Sequence, residues 1–187
     1  MEEGQHIVKG VKVNRKAMFV IDMLNGFANQ GPLSSENVKK IIPFIERELS
    51  TDEYTNYFIC DAHSENDIEM QQYPIHCLKD SQESQVVQEL EKYVDHYVYK
   101  DTTNGFFEVS PAVYESYDEF YLTGCCTDIC ILQFGLSLKM YLNKIGSNKP
   151  VYVFKDGVST FDSPDHNAAE FHEFALKLMA NAGLKII

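Results

Sequence analysis

The sequence predicts a three-layer α/β/α domain built on a central, mostly parallel sheet of about six strands. Three observations carry that reading. Short apolar runs alternate with stretches of helical spacing along the chain. No hairpin signals stand between the runs, so the strands pair in parallel through crossovers. The 187 residues, 44% of them hydrophobic, suffice for one core and show no linker, repeat or low-complexity tract.

The elements follow in order. Residues 1–16 are polar and weakly patterned and read as an N-terminal arm or edge hairpin, with one domain over 17–187. Ala17-Met18-Phe19-Val20-Ile21 is an apolar run, expected as a strand buried on both faces. Ser34 or Ser35 caps a helix to Leu49 through Val38, Ile41, Ile42 and Ile45, which Pro43 kinks or shortens. Tyr57-Phe58-Ile59-Cys60 is the second strand, and 62–80 is a polar loop long enough to suggest function. Ser81 or Ser84 opens a helix through Val87, Leu90 and Val94. His96-Tyr97-Val98-Tyr99 and Phe120-Tyr121-Leu122-Thr123 are the third and fourth strands, and Thr127 caps a helix reaching Tyr141. Val151-Tyr152-Val153-Phe154 is the fifth strand. Ser163-Pro164 starts a helix that ends near Asn181-Ala182-Gly183, and residues 184–187 form a sixth strand.

Composition excludes several functions. A net charge of −12 repels phosphate backbones and charged membrane surfaces. No apolar run reaches the ~20 residues of a membrane span. The acidic start at Met1-Glu2-Glu3 has no apolar core of a signal peptide, so the expected address is the cytoplasm. Five cysteines, an odd count, favour free thiols over a disulfide framework. No GxGxxG, GxxxxGK or GxSxG pattern occurs. His166 and His172 read as packing or surface residues of the last helix.

Ligands of an open parallel sheet bind beyond the carboxyl ends of its strands. There the sequence sets Asp22 after strand one, Asp61 and His63 after strand two, Lys100 after strand three and a cysteine-rich turn after strand four. With Thr127 as cap, Cys130 is the third helical residue, where the helix end lowers a thiol pKa and N–H groups can hold an oxyanion. Asp22 could take its proton, with Lys100 holding both. A cluster of small buried core cysteines is the competing reading. Asp61, His63, Glu69 and His76 supply carboxylate and imidazole ligands suited to Zn, Mn or Fe(II), although Glu65, Asp67 and Asp80 are equally available.

Gly124-Cys125-Cys126-Thr127-Asp128-Ile129-Cys130 matches the Gly-x-x-Thr-Asp-x-Cys nucleophile motif of the isochorismatase-like cysteine hydrolases. Asp61-Ala62-His63, Glu69 and Pro74-Ile75-His76 match the metal motif of their nicotinamidase/pyrazinamidase branch. The chain resembles that family from about Ala17 to Ile187, which implies its Rossmann-like fold. The resemblance implies Asp22, Lys100 and Cys130 as catalytic residues, and a cis peptide between Cys125 and Cys126 that aims the Cys126 N–H, beside that of Cys130, at an oxyanion. It also implies a divalent metal on Asp61, His63, Glu69 and His76, with zinc expected first and Mn or Fe as alternatives. Phe27, Tyr73, Thr103 and Phe106 become the substrate-binding residues. The implied reaction is deamidation of nicotinamide through a Cys130 thioester, for NAD salvage, in a homo-oligomeric enzyme with a small amide as its partner. The chain departs from relatives in lacking Trp, with Tyr73 before Pro-x-His, and in Leu24, Asn25 and Thr103. A cysteine amidase for another small carboxamide or carbamoyl compound, or a non-catalytic scaffold, are the alternatives.

Overall fold

The computed structural model describes residues 14–187. Their elements are β1 (Lys16–Ile21), α1 (Asn25–Ala28), α2 (Glu36–Lys39), α3 (Ile42–Leu49) and β2 (Thr55–Asp61). Next come α4 (Gln88–Glu91), β3 (His96–Lys100), α5 (Pro111–Ser116) and β4 (Glu119–Cys125). Then follow α6 (Leu132–Lys144), β5 (Val151–Ser159), α7 (Ala168–Asn181) and β6 (Lys185–Ile186). The strands form one sheet in the order β3-β2-β1-β4-β5-β6, and every pair is parallel. The predicted fold class is therefore the observed one. Residues 1–13 of the expected arm over 1–16 lie outside the described residues; Arg15 is bonded through its backbone to Asp118, and Lys16 already belongs to β1.

Alternation along β1 divides the core. Ala17, Phe19 and Ile21 join Tyr114, Phe134, Leu138 and Met179 on the face covered by α5, α6 and α7. Met18 and Val20 join Val38, Ile45, Leu49 and Leu90 on the face covered by α2, α3 and α4. This is the doubly covered sheet that the continuous apolar runs imply. No helix among the described residues is long and apolar enough to cross a membrane.

Three predicted helices differ from those observed. The helix from Ser35 breaks in two, because Pro43 fits only in the first turn of a helix and restarts one at Ile42. The helix expected from Ser81 or Ser84 shrinks to α4. The preceding backbone instead pairs with the chain after β1, through Asn25 N–H to Gln85 O, Gly26 N–H to Glu83 O and Val87 N–H to Met23 O. At the last helix, Ser163-Pro164 is a turn closed onto His166, and the cap is Asn167, whose side chain accepts the Glu170 N–H.

The order reverses between β1 and β4, and this switch point opens the crevice at their carboxyl ends. Gly124 allows the close approach there. Its φ is +116°, and a side chain would run into the Ile21 carbonyl oxygen.

Candidate active site

Four strand ends deliver the site. Asp22 follows β1 in a left-handed conformation with φ +53°, which is rare for a non-glycine residue, and its carboxylate is fully buried against Lys100 and the Asp61 N–H. Its backbone is held from both sides, by its own N–H to Ile59 O at 2.9 Å and by the Cys125 thiol donating to its carbonyl at 3.2 Å. Asp61 and Lys100 end the neighbouring strands β2 and β3 in register with each other. Beyond β4 the chain passes through a cis peptide between Cys125 and Cys126 into a π-helical turn over Thr127–Ile131. There the Ile131 N–H reaches back to the Cys126 carbonyl at 3.1 Å. Cys126 is the cap of this turn, so Cys130 sits one position deeper than a Thr127 cap implies.

These ends form one buried chain of charge. Lys100 lies between two carboxylates, with Nζ 2.9 Å from Asp22 Oδ2 and in contact with Asp61 Oδ1. The Asp61 N–H donates to Asp22 Oδ1 at 3.2 Å. Asp22, Asp61 and Lys100 are all buried, so none of the three charges would be tolerable alone. Burial, reinforced by the charge of Asp61, pushes the Asp22 carboxyl up to about 6, while Lys100 and a hydrogen bond from the Cys130 thiol hold it back. Burial pulls the other way on Asp61 as well, yet Lys100 and two imidazoles outweigh it and keep that carboxyl well below the usual range. Lys100 loses to burial but gains more from its two carboxylates, and its pKa is raised.

The thiol departs from expectation. Burial drives the Cys130 pKa well above its ordinary value, and Lys100 only partly opposes this. A helix end alone does not ionise a thiol this deeply enclosed. The arrangement instead suits a neutral thiol that passes its proton to Asp22 during attack.

On the far side of Asp61 lie His63 and His76, each with Nε2 at 3.5 Å from a different oxygen of that carboxylate. The remaining nitrogens are tied elsewhere. His63 Nδ1 donates to Asp67 Oδ2 at 3.1 Å, and His76 Nδ1 to the Pro74 carbonyl at 2.7 Å. These bonds orient both rings so that each Nε2 faces Asp61, as outer hydrogen bonds do around metal-ligating histidines. One ligand atom from each of Asp61, His63 and His76 lies within 4.8 Å of the others. His63 Nε2 is buried without a hydrogen bond. An orphaned imidazole nitrogen in an N/O donor set fits a divalent cation. Glu69 stands apart from the three, its Oε1 accepting the Thr103 N–H at 2.8 Å.

A cavity of about 300 Å³ opens onto both ends of this chain. Cys126, Cys130, Asp61 and His76 line its floor. Phe27, Tyr73, Glu69 and Thr103, all singled out from the sequence, line its sides. Phe27 and Tyr73 meet the His76 ring edge-on, at 5.6 and 6.4 Å. Phe106 does not line this cavity. Its ring stacks on Tyr114 at 5.0 Å and 5°, within the aromatic core. The sequence reading also missed a wall. Leu33, Phe161, Asp162 and Ser163 also line the cavity, and no local pattern in either segment signals that position.

A model of the isochorismatase domain matches residues 16–187. No curated protein sequence matches the chain. Among solved structures it is similar to an isochorismatase-like hydrolase from Alkaliphilus metalliredigens, with 25% identity, a TM-score of 0.75, and coverage of 92% of this chain and 93% of that one. It shares the fold of a pyrazinamidase of Pyrococcus horikoshii in complex with zinc, with 24% identity, a TM-score of 0.74, and 92% and 98% of the two chains covered. An N-carbamoylsarcosine amidase from Thermoplasma acidophilum has the same fold at 19% identity and a TM-score of 0.73, over 92% and 95% of the chains. The match over nearly the whole described domain, with a thiol, a carboxylate and an ammonium gathered at the sheet's switch point, settles the affiliation: the chain belongs to the isochorismatase family.

Proposed function

We propose that the protein is a cysteine amidohydrolase that releases ammonia from nicotinamide or a closely similar aromatic carboxamide. The observation that carries this reading is the buried Lys100 held between Asp22 and Asp61, with His63 and His76 beyond Asp61 and the buried Cys130 thiol lining the adjoining cavity. A scaffold has no use for two carboxylates and an ammonium taken out of water, since such groups cost stability. An amidase uses each of them.

The Asp22 carboxylate accepts the Cys130 proton as the sulfur attacks the amide carbonyl carbon. The N–H groups of Cys126 and Cys130 receive the developing oxyanion. As the C–N bond breaks, Asp22 returns the proton to the leaving nitrogen, giving ammonia and a Cys130 thioester. Water then attacks the thioester and gives its proton to Asp22. Cleavage of the C–S bond releases the acid, and Asp22 returns the proton to Cys130. Lys100 keeps Asp22 able to ionise despite its burial, so one carboxyl serves as base, acid and base again.

Asp61, His63 and His76 would hold a divalent cation, zinc before Mn or Fe. Such a cation supplies a Lewis-acidic point at which a ring nitrogen can dock, with Phe27 and Tyr73 flanking the ring. The pyrazinamidase of Pyrococcus horikoshii, solved with zinc, supports this choice. Nicotinate made in this way would enter NAD salvage.

The test is ammonia release from nicotinamide by the metal-loaded protein, beside Cys130→Ala and a chelated sample. Release lost in both controls supports the whole reading. Loss with Cys130→Ala alone keeps the nucleophile and removes the cation from the chemistry. Silence from the loaded wild type moves the substrate to another small amide or carbamoyl compound.

A further inference from the structure

His166 lies outside the charge chain, yet it joins two walls of the same cavity. Its ring is held between Phe161, at 4.1 Å and 8°, and Phe171, at 3.9 Å and 28°. Nδ1 is 2.9 Å from the Phe161 carbonyl oxygen, and Nε2 is 2.8 Å from Asp128 Oδ2. A carbonyl oxygen only accepts, so Nδ1 carries a proton; an ionised carboxylate also only accepts, so Nε2 carries another. Acceptors on both nitrogens and aromatic faces above and below the ring all favour the imidazolium form.

Each tie ends on a different wall. Phe161, Asp162 and Ser163 line the cavity. Asp128 belongs to the π turn, two residues before Cys130. Its other oxygen, Oδ1, is buried without a hydrogen bond, so the carboxylate leans on His166. Mutual backbone bonds at 3.0 and 3.1 Å between Ser163 and His166 make the wall one tight turn. Asp162 anchors that turn further, accepting the Ala168 N–H and the Asn37 side-chain amide at 2.8 and 2.9 Å.

Building on the amidase reading above, we propose that His166, as an imidazolium, is a positioning residue: it clamps the wall at 161–163 to the nucleophile turn and so sets substrate affinity without touching the reacting atoms. The charged groups facing it are Asp128 from the turn and Asp162 from its own segment, with exposed Asp165 beside it in sequence. From α7 come the uncharged Phe171 and also His172, whose Nδ1 lies 3.0 Å from Thr127 Oγ1. Burial opposes the cation, but Asp128 and the Phe161 carbonyl outweigh it and raise the His166 pKa above 6.5. A raised pKa means that the clamp is complete at lower pH and is lost as pH rises through the folded-state value.

The test pairs NMR of the metal-loaded, 15N-labelled wild type with steady-state kinetics on nicotinamide. At neutral pH both His166 ring nitrogens should be protonated, and the Asp162 and Ser163 amide shifts should follow its titration. Through the same midpoint KM should rise roughly tenfold while kcat changes less than about threefold, the signature of lost substrate binding. His166→Gln should show the high KM at every pH, and Asp128→Asn should lower the midpoint. A neutral His166 ring at neutral pH, wall amides indifferent to its titration, or a wild-type KM step retained in His166→Gln would each overturn the clamp. If the wild type releases no ammonia, the amidase reading fails separately, and the two NMR readings still decide the clamp.

Discussion

Strand β1 carries two clusters built on opposite principles, only three residues apart. Phe19 is fully buried among Phe134 at 4.8 Å, Tyr57 at 5.6 Å and Tyr114 at 6.0 Å. Apolar burial and tilted ring contacts make that cluster a net source of stability. Asp22, just beyond the strand's end, is equally buried but brings a charge that must be matched by Lys100. That cluster is held in place by the fold around it. The lesson is that the chain separates what stabilises it from what reacts, and the two can be perturbed independently.

Four substitutions probe that separation. Cys130→Ala should reduce amide turnover by roughly 10⁴-fold or more, as removal of a nucleophile does. Chemical denaturation should shift by no more than about 1 kcal/mol, and a large loss of stability would mean that thiol and core are not separable. Phe19→Ala should cost roughly 4 kcal/mol in the same denaturation measurement, with kcat unchanged in whatever fraction remains folded. Lys100→Met tests the ionic cluster by removing the charge between two buried carboxylates. A loss of roughly 3 kcal/mol is expected, largely recovered when Asp22→Asn is added, because the unmatched charge and not the lost packing is responsible. Phe106→Leu is the finest test. It should cost about 1 kcal/mol by its place against Tyr114 and leave KM within twofold, whereas a substrate-binding ring would raise KM at unchanged stability.

The legibility of the sequence followed the range of the contacts involved. Runs such as Ala17 to Ile21 announce buried strands locally, and their parallel order follows from the helices between them. The convergence of Asp22, Asp61, Lys100 and Cys130 was readable because the first three stand at strand ends, Cys130 lies in the turn that follows a fourth, and strand ends converge in this architecture. The stretch 81–87 was misread because its backbone bonds to residues near 25, some sixty positions away, and this overrides the helical spacing of Val87, Leu90 and Val94. Phe106 faces the core and not the cavity for the same reason, since its stacking partner Tyr114 lies on a helix the periodicity did not reveal. His166 read only as a packing or surface residue of the last helix, whereas it lies in the turn before α7. Its meaning depends on Asp128, 38 residues earlier in the chain.

The sheet order also governs how the molecule comes into being. β1 is central, but its partner on one side, β4, lies about a hundred residues downstream, with Lys16 opposite Glu119 and the Cys125 thiol bonded to the Asp22 carbonyl. Closing so long a loop costs entropy before any contact repays it, so non-local parallel pairing is slow. Asp22 and Cys130 therefore first meet when β4 docks beside β1. Refolding chains should regain amide turnover in step with this long-range pairing and not with the earlier appearance of helix, because the two groups follow strands that meet only through it.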